Sequence, residues 1–316
     1  LEGSLEKTIK SIGGDCNAGA AAVIDVNSGD LLAMASYPTY DMSQFSEIYS
    51  ELINNKSNPM LNRAVSGLYS PGSTYKPLTA IAAIQSGVVK PREMITCTGI
   101  YDYYKDYQPG CTNTHGYQNV VNAIYNSCNI YFYETARRLG IEKLNSYFSM
   151  FGLGEPTGIE LSESEGTVDT VKHRELKGEL WTPGLTIQAG IGHGDNQFTP
   201  IQLCSYVATL ANGGTRYKPY MIKSVLSADM SEVIYETEPE VLKTINVSEK
   251  TLKIVKQGMR QVVQNGGSSY YFKDCIVDAA GKTGTSQVIR TTESGVSMVC
   301  NNGFFISFAP YDDPEI

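Results

Sequence analysis

No stretch of this 316-residue chain approaches the roughly 20 consecutive apolar residues of a membrane span. The longest smooth run, AGAAAVIDV, is of strand length, and no secretory leader opens the sequence. Histidine is scarce, at 3 residues, and no G-x-S-x-G elbow appears, which speaks against a Ser-His-Asp hydrolase. H-E-x-x-H and G-x-x-x-x-G-K are missing, so zinc-protease and phosphate-loop readings fail. There is no dense Lys/Arg run, and 25 basic against 33 acidic residues leave a formal net charge of −8. That balance excludes nucleic acid as a partner on electrostatic grounds. The 7 cysteines are odd in number and widely spread, which argues against a full disulfide framework. Cys128, Cys204 and Cys275 lie in apolar surroundings and read as small core residues.

What is present is an ordinary globular composition, 41% hydrophobic and 18% charged, with length for a real core. AGAAAVIDVNSGDLLAMASYP has two apolar runs around a turn cluster and predicts a hairpin. CIVDAAGKTGTSQVI and GFFISFAP predict a second strand pair near the other end. Between them PLTAIAAIQSG, VVNAIYNS, IYFYETARRLG, FTPIQLCSYVATLANGG and TLKIVKQGMRQVVQNGG read as helices, several closed by glycine. Strands from both chain ends most simply join one central antiparallel sheet covered by helices, an α/β fold of the α+β type. The sheet part then takes about 18–60 and 265–316, and a large, mostly helical insert takes about 61–264. The polar segment 161–184 reads as a long surface connection.

Chemistry is suggested first by SPGSTYKPLTA, in which Lys76 follows Ser73 by one helical turn. A serine hydroxyl needs a base to become a nucleophile. A lysine can be that base only when neutral, and the apolar run behind Lys76 supplies the burial that lowers its pKa. Ser73 near a helix N-terminus also puts backbone N–H groups where an oxyanion would form. An isolated S-x-x-K is usually no more than a capped helix start. Here it is followed by Ser127-Cys128-Asn129, an S-x-N in a turn, and then by Lys282-Thr283-Gly284 on a predicted strand. Glycine at 284 leaves that strand open to close backbone approach. The ordered set S-x-x-K, S-x-N, K-T-G is the motif set of the serine penicillin-recognising enzymes.

With NRAVSGLYSPGSTYKPLTA, SCNIYFYETARRLGI, GIELS, QAGIGHGDNQFTPIQLCSYVATLANGG and GKTGTSQ, the chain resembles the class B penicillin-binding proteins, in particular the elongation-type, PBP2-like branch of monofunctional D,D-transpeptidases. The resemblance runs from about residue 20 to the end. It implies a penicillin-binding, β-lactamase-like transpeptidase fold and an acyl-serine reaction on the D-Ala-D-Ala end of peptidoglycan stem peptides, inhibited by β-lactams and needing no cofactor. Ser73 would be the nucleophile, Lys76 the base, Ser127 the proton relay and Asn129 a ligand for the substrate amide. Lys282 would keep the site positive and Thr283 would bind the terminal carboxylate. Gly284 would give the strand its close approach, and the Thr285 N–H would join that of Ser73 in the oxyanion hole. Serine β-lactamase, D,D-carboxypeptidase and a non-catalytic penicillin sensor share the motifs and stay open as alternatives, although no water-activating group for a lactamase is evident. His193 and Asp195 stand where relatives more often carry other residues, and His193 reads as a local structural variant. The resemblance further implies an extracytoplasmic enzyme at the bacterial cell membrane, tethered by an N-terminal anchor and pedestal outside these residues. Its partner would be a membrane-embedded glycosyltransferase of the elongation or sporulation machinery. The abrupt first and last residues read as the ends of a piece of a longer chain.

CTGIYDYYKDYQPGCTNTHG gathers Cys97, Cys111 and His115 just upstream of S-x-N. Zinc takes such ligands in a tetrahedral shell, which Asp106, or failing it Asp102, would close. Three readings stay open: a structural zinc bracing the Ser127–Asn129 turn, a Cys97–Cys111 disulfide, or neither.

Overall fold

The computed structural model describes residues 1–14, 16–291 and 297–316. Gly19–Ile24 and Leu31–Tyr37 form the expected hairpin, from Gly19↔Tyr37 to Ile24↔Leu31. Asp25 closes its turn by accepting from Asn27 N at 2.8 Å. Gly29 follows at φ +83°, where a Cβ would lie 2.6 Å from the Lys218 carbonyl. The second pair is Ala280–Thr291 with Ser297–Phe308, in register from Ala280↔Phe308 to Thr291↔Ser297.

The five predicted helices form. Lys76–Gln85 is buried almost throughout and ends before Gly87, at φ +72°. Val120–Tyr125 is followed by Asn129–Leu139, which stops at Gly140, φ +79°. Pro200–Ala211 opens with a reciprocal cap: Thr199 accepts from Gln202 N, and the Gln202 side chain accepts from Thr199 N. This apolar helix packs on both terminal hairpins. Glu249–Gln264 presents a buried face of Leu252, Val255, Met259 and Val262. Its Gly258 lets it cross close to Ile124, since a Cβ there would sit 2.9 Å from the Ile124 side chain.

Four expectations are corrected. Among the described residues the strands pair only two by two, so the terminal hairpins are separate ladders rather than one sheet. They flank an apolar cavity of about 120 Å³ lined by Ala22, Ile24, Val207, Phe308 and Ile316. The segment after Phe308 takes up backbone groups beside it: Glu315 O accepts from Val26 N at 2.9 Å, and Ile316 O from Ala309 N at 2.8 Å. The insert is also less purely helical than its apolar periodicity suggests. It carries three short ladders, Ile95–Cys97 with Gly116–Gln118, Thr215–Tyr217 with Val241–Thr244, and Ser224–Leu226 with Val233–Glu236.

Segment 161–184 is not merely a surface connection. It folds a short helix, Val171–Leu176, whose Arg174 forks onto the fully buried Asp169 through Nε at 2.8 Å and Nη2 at 2.7 Å. Asp169 also accepts from Asp195 N at 2.9 Å, which ties this segment to the loop carrying His193. The polar residues that suggested a loop are spent on one another. Finally, Cys275 is exposed, on the irregular stretch after Phe272.

Candidate active site

Ser73 lies half-buried in a 3-10 turn, Gly72–Tyr75, that runs directly into the helix beginning at Lys76. Close backbone packing holds this turn. Gly72 has φ +53°, and a Cβ there would fall 2.5 Å from the Thr285 carbonyl. On the other side Gly72 N donates to Gly192 O at 3.2 Å, and a Cβ on Gly192 would lie 2.2 Å from Gly72 O. A Cβ on Gly284 would meet Pro71 O at 2.7 Å. The K-T-G strand therefore presses onto the serine turn, the close approach its glycine suggested. Behind the turn, Tyr75 is wedged between the Phe148 and Phe198 rings, and Tyr206 Oη donates to Thr74 O at 2.9 Å.

Lys76 is fully buried, and its Nζ reaches Ser127 O at 2.7 Å, Asn129 Oδ1 at 2.7 Å and Ser127 Oγ at 3.1 Å. Burial lowers its pKa to about 7, against the opposing pull of nearby Cys111 and Cys128. Lys282 is likewise fully buried and donates to Ser127 Oγ at 3.0 Å and Thr283 O at 2.8 Å. Burial first, and the charge of Lys76 second, push Lys282 well below an ordinary lysine. Two lysines thus converge on one hydroxyl. The turn that presents it is strained, because Ser127 has φ +52°, a region few non-glycine residues adopt. Three acceptors suit an ammonium. Once a proton leaves, Ser127 Oγ can donate to the Lys76 lone pair instead, so the network survives in both states.

His193 is nearer the site than its reading as a structural variant implied. Its Nδ1 lies 3.2 Å from Gln188 Oε1, and Gln188 Nε2 donates to Tyr107 Oη at 2.6 Å. Burial and the charge of Lys76 lower its pKa, while the Thr285 carbonyl, facing the ring, raises it. Sequence reasoning missed Gln188 and Tyr107. Nothing local marks them, because their positions relative to His193 are set by tertiary packing.

The cysteine segment closes differently from expectation. Cys97, Cys111 and His115 do meet, and the fourth member is Cys128. The four ligand atoms lie within 4.8 Å of one another, with His115 Nδ1 at 3.5 Å from both Cys97 Sγ and Cys111 Sγ. Asp106 is not in the group. The Ile100↔Gly110 bridge and the Tyr101 N to Pro109 O bond close residues 101–109 into a loop whose tip exposes Asp106, and Asp102 is exposed with it. Cys128 is fully buried, as read, but it is a member of this group rather than a plain core residue. Its thiol hydrogen-bonds the Cys111 sulfur, which lowers the Cys111 thiol and raises Cys128. Cys111 Sγ accepts from Asn129 N at 3.1 Å, linking the group to the S-x-N turn. Tetrahedral zinc with Zn–S near 2.3 Å would set sulfurs about 3.8 Å apart, so both donor chemistry and spacing fit that ion.

A serine on a tight turn, a buried lysine three positions on and a second lysine sharing the Ser127 hydroxyl are groups suited to acyl transfer through a serine. The family comparison agrees: the model of the penicillin-binding protein transpeptidase domain matches residues 19–316, and the chain belongs to that family. Among relatives, peptidoglycan D,D-transpeptidase MrdA of Acinetobacter baumannii is 33% identical over 94% of this chain and 46% of its own length. Stage V sporulation protein D of Bacillus subtilis is 30% identical over 94% of the chain and 44% of its length. The chain spans about half the length of the curated relatives it matches. Among solved structures, Pseudomonas aeruginosa PBP2 in complex with WCK 5153 superposes with a TM-score of 0.82 at 31% identity, covering 99% of this chain and 70% of that one.

Proposed function

We propose that this chain is the acyl-transfer domain of a peptidoglycan D,D-transpeptidase of the elongation type. The observation that carries the reading is the convergence of Lys76 and Lys282 on Ser127 Oγ beside the Ser73 turn. Neutral Lys76 takes the Ser73 proton as Oγ attacks the penultimate D-Ala carbonyl of a donor stem peptide. The oxyanion forms against the backbone N–H groups of Ser73 and Thr285. Ser127, between the two lysines, passes a proton to the departing D-Ala nitrogen. Lys282 and Thr283 hold the terminal carboxylate, and Asn129 the donor amide. An amine of a second stem peptide then resolves the ester and closes the cross-link.

β-Lactams present the same carboxylate and strained carbonyl, so they acylate Ser73. The test is labelling with a fluorescent penicillin and peptide mapping: a lasting adduct on the Ser73 peptide, abolished in Ser73→Ala, is expected. Cross-linked product from lipid-linked stem peptide separates this reading from a carboxypeptidase or sensor. Rapid loss of the label would instead mark a lactamase, and labelling that persists in Ser73→Ala would refute the assignment.

The same reading places the chain on the extracytoplasmic face of the bacterial membrane, held there by parts of the protein outside these residues. Among the described residues no helix is long and apolar enough to cross a membrane. A membrane glycosyltransferase that polymerises glycan is the proposed partner. In support, a solved peptidoglycan synthase complex that coordinates polymerization and crosslinking contains a chain 27% identical to this one with a TM-score of 0.80.

The Cys97, Cys111, His115 and Cys128 group is proposed to hold a structural zinc that braces the Ser127–Asn129 turn. It takes no part in acyl transfer. Metal analysis of protein purified without added zinc should give close to one ion per chain.

A further inference from the structure

We propose that Cys111 and Cys128 form a redox-modification site: a peroxide-class oxidant joins the two sulfurs, releases the metal and switches off acylation by withdrawing Asn129 from Lys76. The inference extends the metal reading above; release of the ion depends on that reading, whereas the sulfur–sulfur bond and the slowed acylation do not.

The geometry supplies three links. Three sulfurs and one imidazole lie within 4.8 Å, so no large motion is needed to pair thiols. Cys111 is the half-buried sulfur, whereas Cys97 and Cys128 are buried, so an oxidant from solvent reaches Cys111 first. Cys111 Sγ is also the acceptor for Asn129 N at 3.1 Å, and Asn129 Oδ1 in turn accepts from Lys76 Nζ at 2.7 Å. The sulfur chemistry is therefore two hydrogen bonds from the catalytic base.

The steps balance. The Cys111 thiolate attacks one oxygen of hydrogen peroxide; an S–O bond forms, the O–O bond breaks and hydroxide leaves, giving a sulfenic acid. The Cys128 thiolate then attacks that sulfur; the S–S bond forms, the S–O bond breaks and a second hydroxide leaves. Two electrons pass from the two sulfurs to the peroxide. The product retains neither thiolate, so a bound zinc keeps only Cys97 and His115 and dissociates. A disulfide sulfur is a poor acceptor, so the bond from Asn129 N weakens. Cys128 is the residue between Ser127 and Asn129, and Ser127 already sits at φ +52°, so the turn has little slack to absorb the pull.

The experiment treats the zinc-loaded chain with stoichiometric hydrogen peroxide. It follows released zinc with a chromogenic chelator, linked peptides by non-reducing mass mapping, and the second-order rate of fluorescent-penicillin acylation. Expected are one zinc released per two thiols lost, a linked Cys111–Cys128 peptide, and a rate reduced roughly tenfold or more, as for loss of groups that support a metal site. A dithiol plus zinc should restore it. Cys275→Ser, outside the group, should respond like the unaltered chain. A linked peptide with an unchanged rate overturns the proposal, as does oxidation confined to Cys16, Cys204, Cys275 and Cys300. A chain that carries no zinc but still links Cys111 to Cys128 and slows would defeat the metal reading alone.

Discussion

The acylation rate of this domain should follow the ionisation of Lys76. With a pKa of about 7, half of Lys76 is neutral at pH 7. By the titration curve, about a tenth is neutral at pH 6 and about a hundredth at pH 5. The second-order rate of benzylpenicillin acylation, measured by stopped flow between pH 5 and 9, should therefore rise tenfold per unit at the acid end. It should bend at about pH 7 and reach a plateau by pH 8 to 9. An ordinary lysine near 10.5 would leave on the order of 0.03% neutral at pH 7 and a rate still climbing at pH 9. The gap between the two values corresponds to about 5 kcal/mol of disfavour for the buried ammonium.

That disfavour also has a sign in stability. Lys76 binds its proton less well folded than unfolded, so between about pH 7 and 10.5 the unfolded chain carries more protons and stability rises with pH. The penalty is present in full below pH 7 and gone above 10.5. Lys76→Met removes both the penalty and this slope while abolishing acylation. A log-rate plot that stays linear through pH 9, with background hydrolysis subtracted, would refute the assignment of Lys76 as a depressed base.

Two more outcomes follow from packing. Gly284→Ala places a Cβ 2.7 Å from both Pro71 O and Thr74 Cγ2, so strand and serine turn must separate. A loss of about 1–3 kcal/mol in urea unfolding is expected, with acylation slowed more than binding of a non-covalent carboxylate probe. Asp169→Asn leaves the Arg174 fork without its buried counter-charge, although Glu179 and Asp195 still reach that guanidinium. About 3 kcal/mol should be lost, seen as a Tm drop of roughly 4–5 °C, and an unchanged Tm would mean that the pair contributes nothing net.

Much of the site was legible because its motifs are local. Ser73 and Lys76 are one turn apart, S-x-N is one turn of chain, and K-T-G lies on one strand, so spacing and residue type sufficed to nominate them. The helices were legible for the same reason: their caps and glycine stops act within a few residues. The fourth ligand was not. Cys128 sits among apolar neighbours that look like core, whereas Asp106 has the right chemistry in the right loop. Only the Ile100↔Gly110 bridge, which points that loop away, and the approach of residue 128 to Cys111 decide between them. The polar segment 161–184 misled for a related reason, since a sequence shows that residues are charged but not that Asp169 and Arg174 will satisfy each other.

Taken alone, the sequence determined the helices, the two terminal hairpins and the candidate serine and lysine motifs, because short-range sterics, capping and residue chemistry set these. Tertiary structure decided that Ser127 Oγ lies between lysines 51 and 155 positions away, that three glycines bring three backbones together around Ser73, and that the terminal hairpins stay separate ladders. Such features depend on distances between segments remote in the chain, which burial and close packing fix and which no local pattern records.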